Sequence, residues 1–322
     1  MAHEVETMMY VNNEIDKVTG QVTRFVPWHG LGTPIEAAVN SADALKLAGL
    51  DWEVHSRPIF TDNNIRIPGY IANTRSSDDK VLGVVSDKYK IVQNKDAFAF
   101  TDALLDNEAK YVTAGSLRGG KNIWMLAQLP RTKILGDEVD QYLCFSNTHD
   151  GTGAVRVFST PVRVVCNNTL NLALNTAKRS WSCRHMGNLE SKMHEATRTL
   201  ELANKYMEEL AKEADKLANT TITDERLMQI VAEMFPIDED KQTHRQVANM
   251  EQAKREFMVA YYMPDIKQFR NTAWGVVNAM ADMVAHASPK RNTSTYQENN
   301  FERIIVGHPL LDAVLEKCTA RA

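Results

Sequence analysis

Ten apolar residues, Met186, Leu189, Met193, Ala196, Leu200, Ala203, Met207, Leu210, Ala214 and Leu217, follow one another at alternating steps of three and four. A strand cannot use that spacing, because its side chains alternate with period two. It is the seam of a helix that keeps one face buried for about four heptads. The seam predicts a long helix packed against other helices of its own chain or, as the alternative, against a second copy of the chain. Alanine and methionine at seam positions suit close packing within the chain. Further helices are expected over Asp224–Phe235, Gln242–Met263 and Ile266–Ala287, each stopped by a proline (Pro236, Pro264, Pro289), and a last one near Leu310–Cys318. Asn167 or Asn168 could cap an earlier helix running to Lys178, so everything after Cys166 reads as helical.

Before that point the period is two. Trp52–Phe60, Ile65–Asn73, Val81–Val85, Tyr89–Val92, Tyr111–Leu117, Asn122–Leu129, Val139–Ser146 and Gly153–Val165 are short runs rich in β-branched and aromatic residues. Turn residues separate them, as in a meander of antiparallel strands. Pro58 places the end of its strand at an edge or bulge. A short helix is expected over Asp96–Leu105. The fold class that follows is α+β: an antiparallel β-sheet domain with packed helices over 51–184, then an all-α helical domain over 185–322 with the long heptad-patterned helix. Residues 1–50 form a turn-rich segment ending in a short helix, with Gly49 at its end. No parallel βαβ alternation and no GxGxxG after a strand supports a dinucleotide-binding fold.

Composition narrows the function. The chain has 322 residues, 24% of them charged, and four cysteines at irregular spacings, which suits a reducing compartment such as the cytoplasm. No window is apolar enough for a membrane helix, and the acidic start carries no readable signal peptide. Net charge is −4, yet Arg156–Arg198 holds seven cations against two carboxylates. A basic segment on an acidic protein is a candidate footprint for phosphate, or else a solvated face. Arg118-Gly119-Gly120-Lys121 is a hairpin turn whose glycines would also let backbone approach an anion. The cations expected to touch phosphate are Arg118, Lys121, Arg156, Arg163, Lys178, Arg179 and Arg184. Tyr70, Tyr89, Tyr111, Trp124 and Trp181 lie in or beside the sheet, either as core or as base-stacking surfaces.

Metal and covalent chemistry have weaker footing. Cys144, His149, Cys166, Cys183 and His185 include no CxxC or HxxxH pair, so no metal is expected. Cys166 stands at a strand end near Arg163 and would need His149 or His185 as a base brought to it by folding. No GxxxxGK[ST] supports nucleotide hydrolysis, and no cofactor or catalytic residue is expected.

Four blocks resemble a known family. Pro27-Trp28-His29-Gly30-Leu31-Gly32-Thr33, then Gly83–Asn94, then Thr160–Leu170 containing Arg163-Val164-Val165-Cys166-Asn167-Asn168-Thr169, and finally Thr272–Met280 are similar to the phage/plasmid-like family of the domain of unknown function 932. The resemblance spans roughly residues 25 to 287. It implies a bacteriophage, prophage or plasmid context and brings no catalytic residues. An antiparallel sheet, a long helix and a basic segment in that context are similar in outline to single-strand annealing proteins of the RecT and Redβ type. The expected function is therefore single-stranded DNA binding and annealing by a homo-oligomer, without catalytic chemistry. The alternatives are an interaction protein that counteracts a host defence or binds a host factor, and a cysteine-dependent enzyme.

Overall fold

Runs of Val, Ile, Leu and aromatic residues around Arg118-Gly119-Gly120-Lys121 and the Asn147–Gly153 turn can zip only as neighbouring hairpins, and the larger sheet grows from them. The structure is a computed structural model that describes residues 5–11, 33–35, 40–97, 102, 110–163, 168–169, 172, 174, 180–186, 198–286 and 307–320. The strands are β1 (Val5–Val11), β2 (Thr33–Ile35), β3 (Val54–Phe60), β4 (Arg66–Arg75), β5 (Val81–Ser86), β6 (Lys110–Leu117), β7 (Asn122–Ile134), β8 (Asp137–Thr148), β9 (Val155–Arg163), β10 (Asn168–Thr169) and β11 (Ser180–Cys183). The larger sheet has the order β10-β9-β8-β7-β6-β1-β2, with β11 also paired to β9. Every pair in it is antiparallel except β1 with β2. The smaller sheet is β3-β4-β5, and its register shifts between Pro58 and Phe60 on an edge strand, where the proline was expected to break the ladder.

The helices are α1 (Ser41–Leu47), α2 (Arg198–Ala218), α3 (Asp224–Met234), α4 (His244–Tyr261), α5 (Ala273–His286) and α6 (Pro309–Thr319), with a 3₁₀ turn at Pro264–Phe269. Their starts are capped as the residue types dictate. Asn40, Thr223 and Thr243 each accept a backbone N–H in the first turn, and Thr243 with Gln246 completes a reciprocal capping box.

Two apolar cores result. One lies against the larger sheet and gathers Leu50, Trp52, Leu82, Ile123, Met125, Leu143, Phe145 and Val157 with Ala203 of α2. The other gathers Met207, Leu210, Ala214 and Leu217 of the same helix with Phe257, Tyr261, Trp274, Val277 and Met280, and reaches Ile134 and Val139 at the far end of β7 and β8. Burying a large side chain is worth roughly 1.5–3 kcal/mol, so this seam is held by the chain's own residues.

Four expectations need correcting. Met186, first in the seam, is exposed in a non-helical segment after β11, and the described helix begins at Arg198; Leu189, Met193 and Ala196 lie outside the described residues. Asn168 caps no helix: it pairs with Arg163 in β10, and Ser180–Cys183 pairs with β9, so strands continue past Cys166. Tyr89–Val92 is not a strand, because Gln93 and Asn94 tie this segment through their side chains to the backbone of residues 50–54 rather than through a ladder. The helix expected over Ile266–Ala287 is split. Asn271 turns left-handed (φ 61°), Thr272 restarts α5 by accepting the Gly275 N–H, and a Cβ at Gly275 would strike the Phe269 carbonyl.

Candidate functional site

Strand register brings three turns together at one end of the larger sheet. Leu117 pairs with Asn122, Asn122 with Thr148, and Val155 with Cys183, so the turns 118–121 and 149–154 and the segment 184–186 leave the sheet side by side. The smaller sheet closes over them. A Cβ at Gly83 would lie 2.5 Å from Asp150 Cα, and Gly151, at φ 80°, faces Val85. Only glycine permits these approaches.

Beneath this end lies a buried polar cluster. The His149 N–H donates to Lys121 O at 2.7 Å, and Asn73 Nδ2 donates to His149 O at 2.8 Å. Asn94 Nδ2 donates to the Leu50 and Trp52 carbonyls at 2.9 and 3.3 Å, which leaves Asn94 Oδ1 as an acceptor 3.0 Å from His149 Nε2. His149 must therefore carry its proton on Nε2, leaving Nδ1 a bare, buried lone pair. The same logic fixes His185. Its Nδ1 donates to Lys90 O at 2.9 Å, the Lys90 N–H returns a bond to His185 O at 2.8 Å, and Nε2 has no partner. Tyr89 stacks on the His185 ring at 4.5 Å and donates its hydroxyl to Thr148 O. Trp52 meets His149 edge-on, and the Arg75 guanidinium, held bidentate by Asp78, lies over Trp52.

Burial governs the protonation of both rings. His149 is pulled down to about 3 by desolvation, with the neighbouring His185 adding to the effect. His185 is lowered chiefly by burial, against the opposing influence of Lys90 O and Asp150. Both are neutral at physiological pH. The pair is a rigid keystone that locks the smaller sheet onto the turn end of the larger one.

Around the keystone stand cations. Arg118 and Arg184 are exposed and Lys121 half-buried at this end, and Arg156 lies one pair inside it, between Ser146 and Ser182. Three left-handed residues, Arg118, Gly119 and Gly120, turn the chain there. The space above Gly119 is occupied by the Lys80 ammonium, so the expected backbone cradle is filled and a fourth basic group joins the rim. Lys88 and Lys90 are exposed nearby in sequence. Arg163 does not join them: it ends β9 about 23 Å away, seven residues along the strand. Lys178 and Arg179 lie outside the described residues, as does Cys166. Among the described residues no group of three or more His, Cys, Asp and Glu could hold a metal ion. Burial pushes the Cys144 thiol well above its ordinary range.

The sequence singled out His149 and His185 as metal ligands, then set aside, and as bases for Cys166; Asn94 entered only as part of the Gly83–Asn94 block, and Asn73 and Lys80 were not singled out. The usable signal was the Gly83–Asn94 block, whose Gly83, Tyr89 and Asn94 all converge on the histidine turn. A family model described as "Domain of unknown function (DUF932)" matches residues 81–305. The chain belongs to this family. The DUF932 match includes Gly83–Asn94, Thr160–Leu170 and Thr272–Met280, so it takes in His149, His185 and most of both cores, and it leaves Leu50, Trp52, Asn73, the last helix and the Pro27–Thr33 block outside. No curated protein and no solved structure matches the chain.

Proposed function

We propose that this DUF932 protein binds single-stranded DNA along the basic end of its larger sheet and acts in phage or plasmid recombination by annealing strands, without catalytic chemistry. The observation that carries the reading is the placing of Arg118 and Lys121, from one turn, at the same sheet end as Arg184, with Lys80 over Gly119. Such a rim holds phosphates and leaves bases accessible for pairing. In the same reading the protein is a cytoplasmic homo-oligomer, and residues 185–322 form an all-α unit whose heptad helix backs the sheet. Among the described residues no helix is long and apolar enough to cross a membrane.

The test is salt-dependent binding to a labelled oligonucleotide by the native chain and by a variant with Arg118, Lys121 and Arg184 changed to glutamine. The slope of log affinity against log salt should fall by about 0.7 for each lost contact. A folded variant with an unchanged slope removes the rim from the binding surface. A native chain that binds no oligonucleotide at any salt concentration points to the alternative, a mobile-element protein that binds a host factor.

A further inference from the structure

Residues 87–94, which follow β5, join no strand and lie across the turn end of the larger sheet. Their ties to that end run to the last residues of β8 and to the two keystone histidines. The Tyr89 hydroxyl donates to Thr148 O, and its ring stacks on His185. The Lys90 N–H donates to His185 O at 2.8 Å, and the Lys90 carbonyl accepts from His185 Nδ1 at 2.9 Å. Asn147 Nδ2 donates to Val92 O at 3.2 Å, and Asn94 Oδ1 accepts from His149 Nε2 at 3.0 Å. Val92 is buried and gives the segment an apolar anchor. The rest of its hold is polar and passes through imidazoles.

Each ring has one nitrogen committed and one enclosed without a partner: Nδ1 of His149 and Nε2 of His185. A neutral imidazole bears this, because only a bare lone pair goes unmet. An imidazolium carries a hydrogen on both nitrogens. The second would be a charged donor sealed from water with nothing to receive it, which a protein interior tolerates least. No counter-ion is in contact with either ring among the described residues. Asp150 acts on His185 from a distance and is outweighed by burial, and Asp78 is committed to Arg75 on the far side of Trp52. Asp87 is exposed, and the other charged neighbours, Lys88, Lys90, Lys121 and Arg184, are cations. A proton can enter either ring only when residues 87–94 have lifted and water reaches the free nitrogen.

We infer that residues 87–94 form a proton-released strap, held down while His149 and His185 are neutral and lifted when they take up protons. The helical core stays in place when the strap lifts, because that core meets β7 and β8 at Ile134 and Val139, the other end of the sheet. Lifting bares Asn147 and Thr148 O and carries Lys88 and Lys90 away with the strap. The device stands on the joint alone and is independent of what the basic rim binds.

The experiment is native-state hydrogen exchange of the full chain by NMR from pH 7.5 to 5, corrected for intrinsic exchange. The Lys90 amide, bonded to His185 O, reports the strap, and the amides around the Leu126–Cys144 pair report the larger sheet. The Lys90 opening constant should exceed theirs at every pH. As pH falls it should rise by about 30-fold if one ring drives release and about 900-fold if both do, from an ordinary imidazole pKa of about 6.5 in the open state. His149→Asn combined with His185→Asn should abolish the rise. Nitrogen-15 shifts of the two native rings give a second reading that needs no variant: each ring should keep its neutral tautomer for as long as the Lys90 amide is protected. An opening constant at Lys90 equal to that of the larger sheet would show that the strap does not move by itself, and overturns the inference. So does a Lys90 opening constant that ignores pH in the native chain, or a ring that charges near pH 6.5 while Lys90 stays protected.

Discussion

The two ends of the larger sheet are built from opposite materials. At the Ile134–Val139 end β7 and β8 run into the helical core with Tyr206, Leu210, Trp274 and Met280, and the buried carboxylate beside it, Asp140, is paired with Arg131. At the Asn122–Thr148 end the same two strands finish on Asn147, Thr148 and His149, all buried and all polar. An apolar end needs only volume to be filled, and tolerates exchange of one hydrophobe for another of similar size. The polar end needs each donor to meet its acceptor, which makes it specific and unforgiving. One end supplies stability; the other spends part of it to hold a surface in a fixed shape.

The comparison breaks most visibly at Trp274. Trp274→Ala empties a fully buried site and should lower stability by about 3–5 kcal/mol in denaturant unfolding. The surviving folded fraction should keep the native salt slope for oligonucleotide. A slope change would show that the two ends are not separable.

Acid sharpens the comparison from the other side. His149 has its native pKa near 3, against about 6.5 when unfolded. Below pH 6.5 the unfolded chain takes up a proton that the folded chain refuses, so stability is complete above 6.5 and is lost progressively down to about pH 3. At pH 5 the loss from this ring is about 2 kcal/mol, and His185, lowered in the same direction, adds to it. Unfolding free energies measured from pH 7.5 to 5 should fall accordingly, and His149→Asn should flatten the curve. A profile flat in the native chain would mean that the ring is hydrated.

The smallest effect belongs to the rim. Arg184→Gln removes an exposed charge and should change stability by no more than about 0.5 kcal/mol at any pH in that range. A larger change would make Arg184 part of the keystone instead of its margin.

Most strands were legible because alternation reports a half-buried face directly, and β7 and β8 simply run further than their apolar stretches. The Arg118–Lys121 turn was legible from its two glycines. Tyr89–Val92 was misread because its apolar residues serve packing while Gln93 and Asn94 take the bonds that a ladder would have used. Ser180–Cys183 was misread because four residues are too few to show a period, and its pairing with β9 is a tertiary choice. The keystone was illegible for a different reason. His149 meets a partner 55 positions away in Asn94, and His185 meets one 95 positions away in Lys90. Nothing local to either histidine distinguishes a satisfied core residue from a reactive one. Arg163 was grouped with Arg156 by sequence proximity, and the length of β9 separates them.

Helix α2 contributes to both cores. Its Ala203 belongs to the sheet's core, while Met207, Leu210, Ala214 and Leu217 belong to the helical one. A single rod shared by both cores is a mechanical coupling: neither core can open without unseating residues of the other. Unfolding is then one event, and the slowest-exchanging amides of the sheet and of the helices should report the same opening free energy. A force or a ligand that stiffens the sheet is felt, through that rod, in the helices packed against its far half.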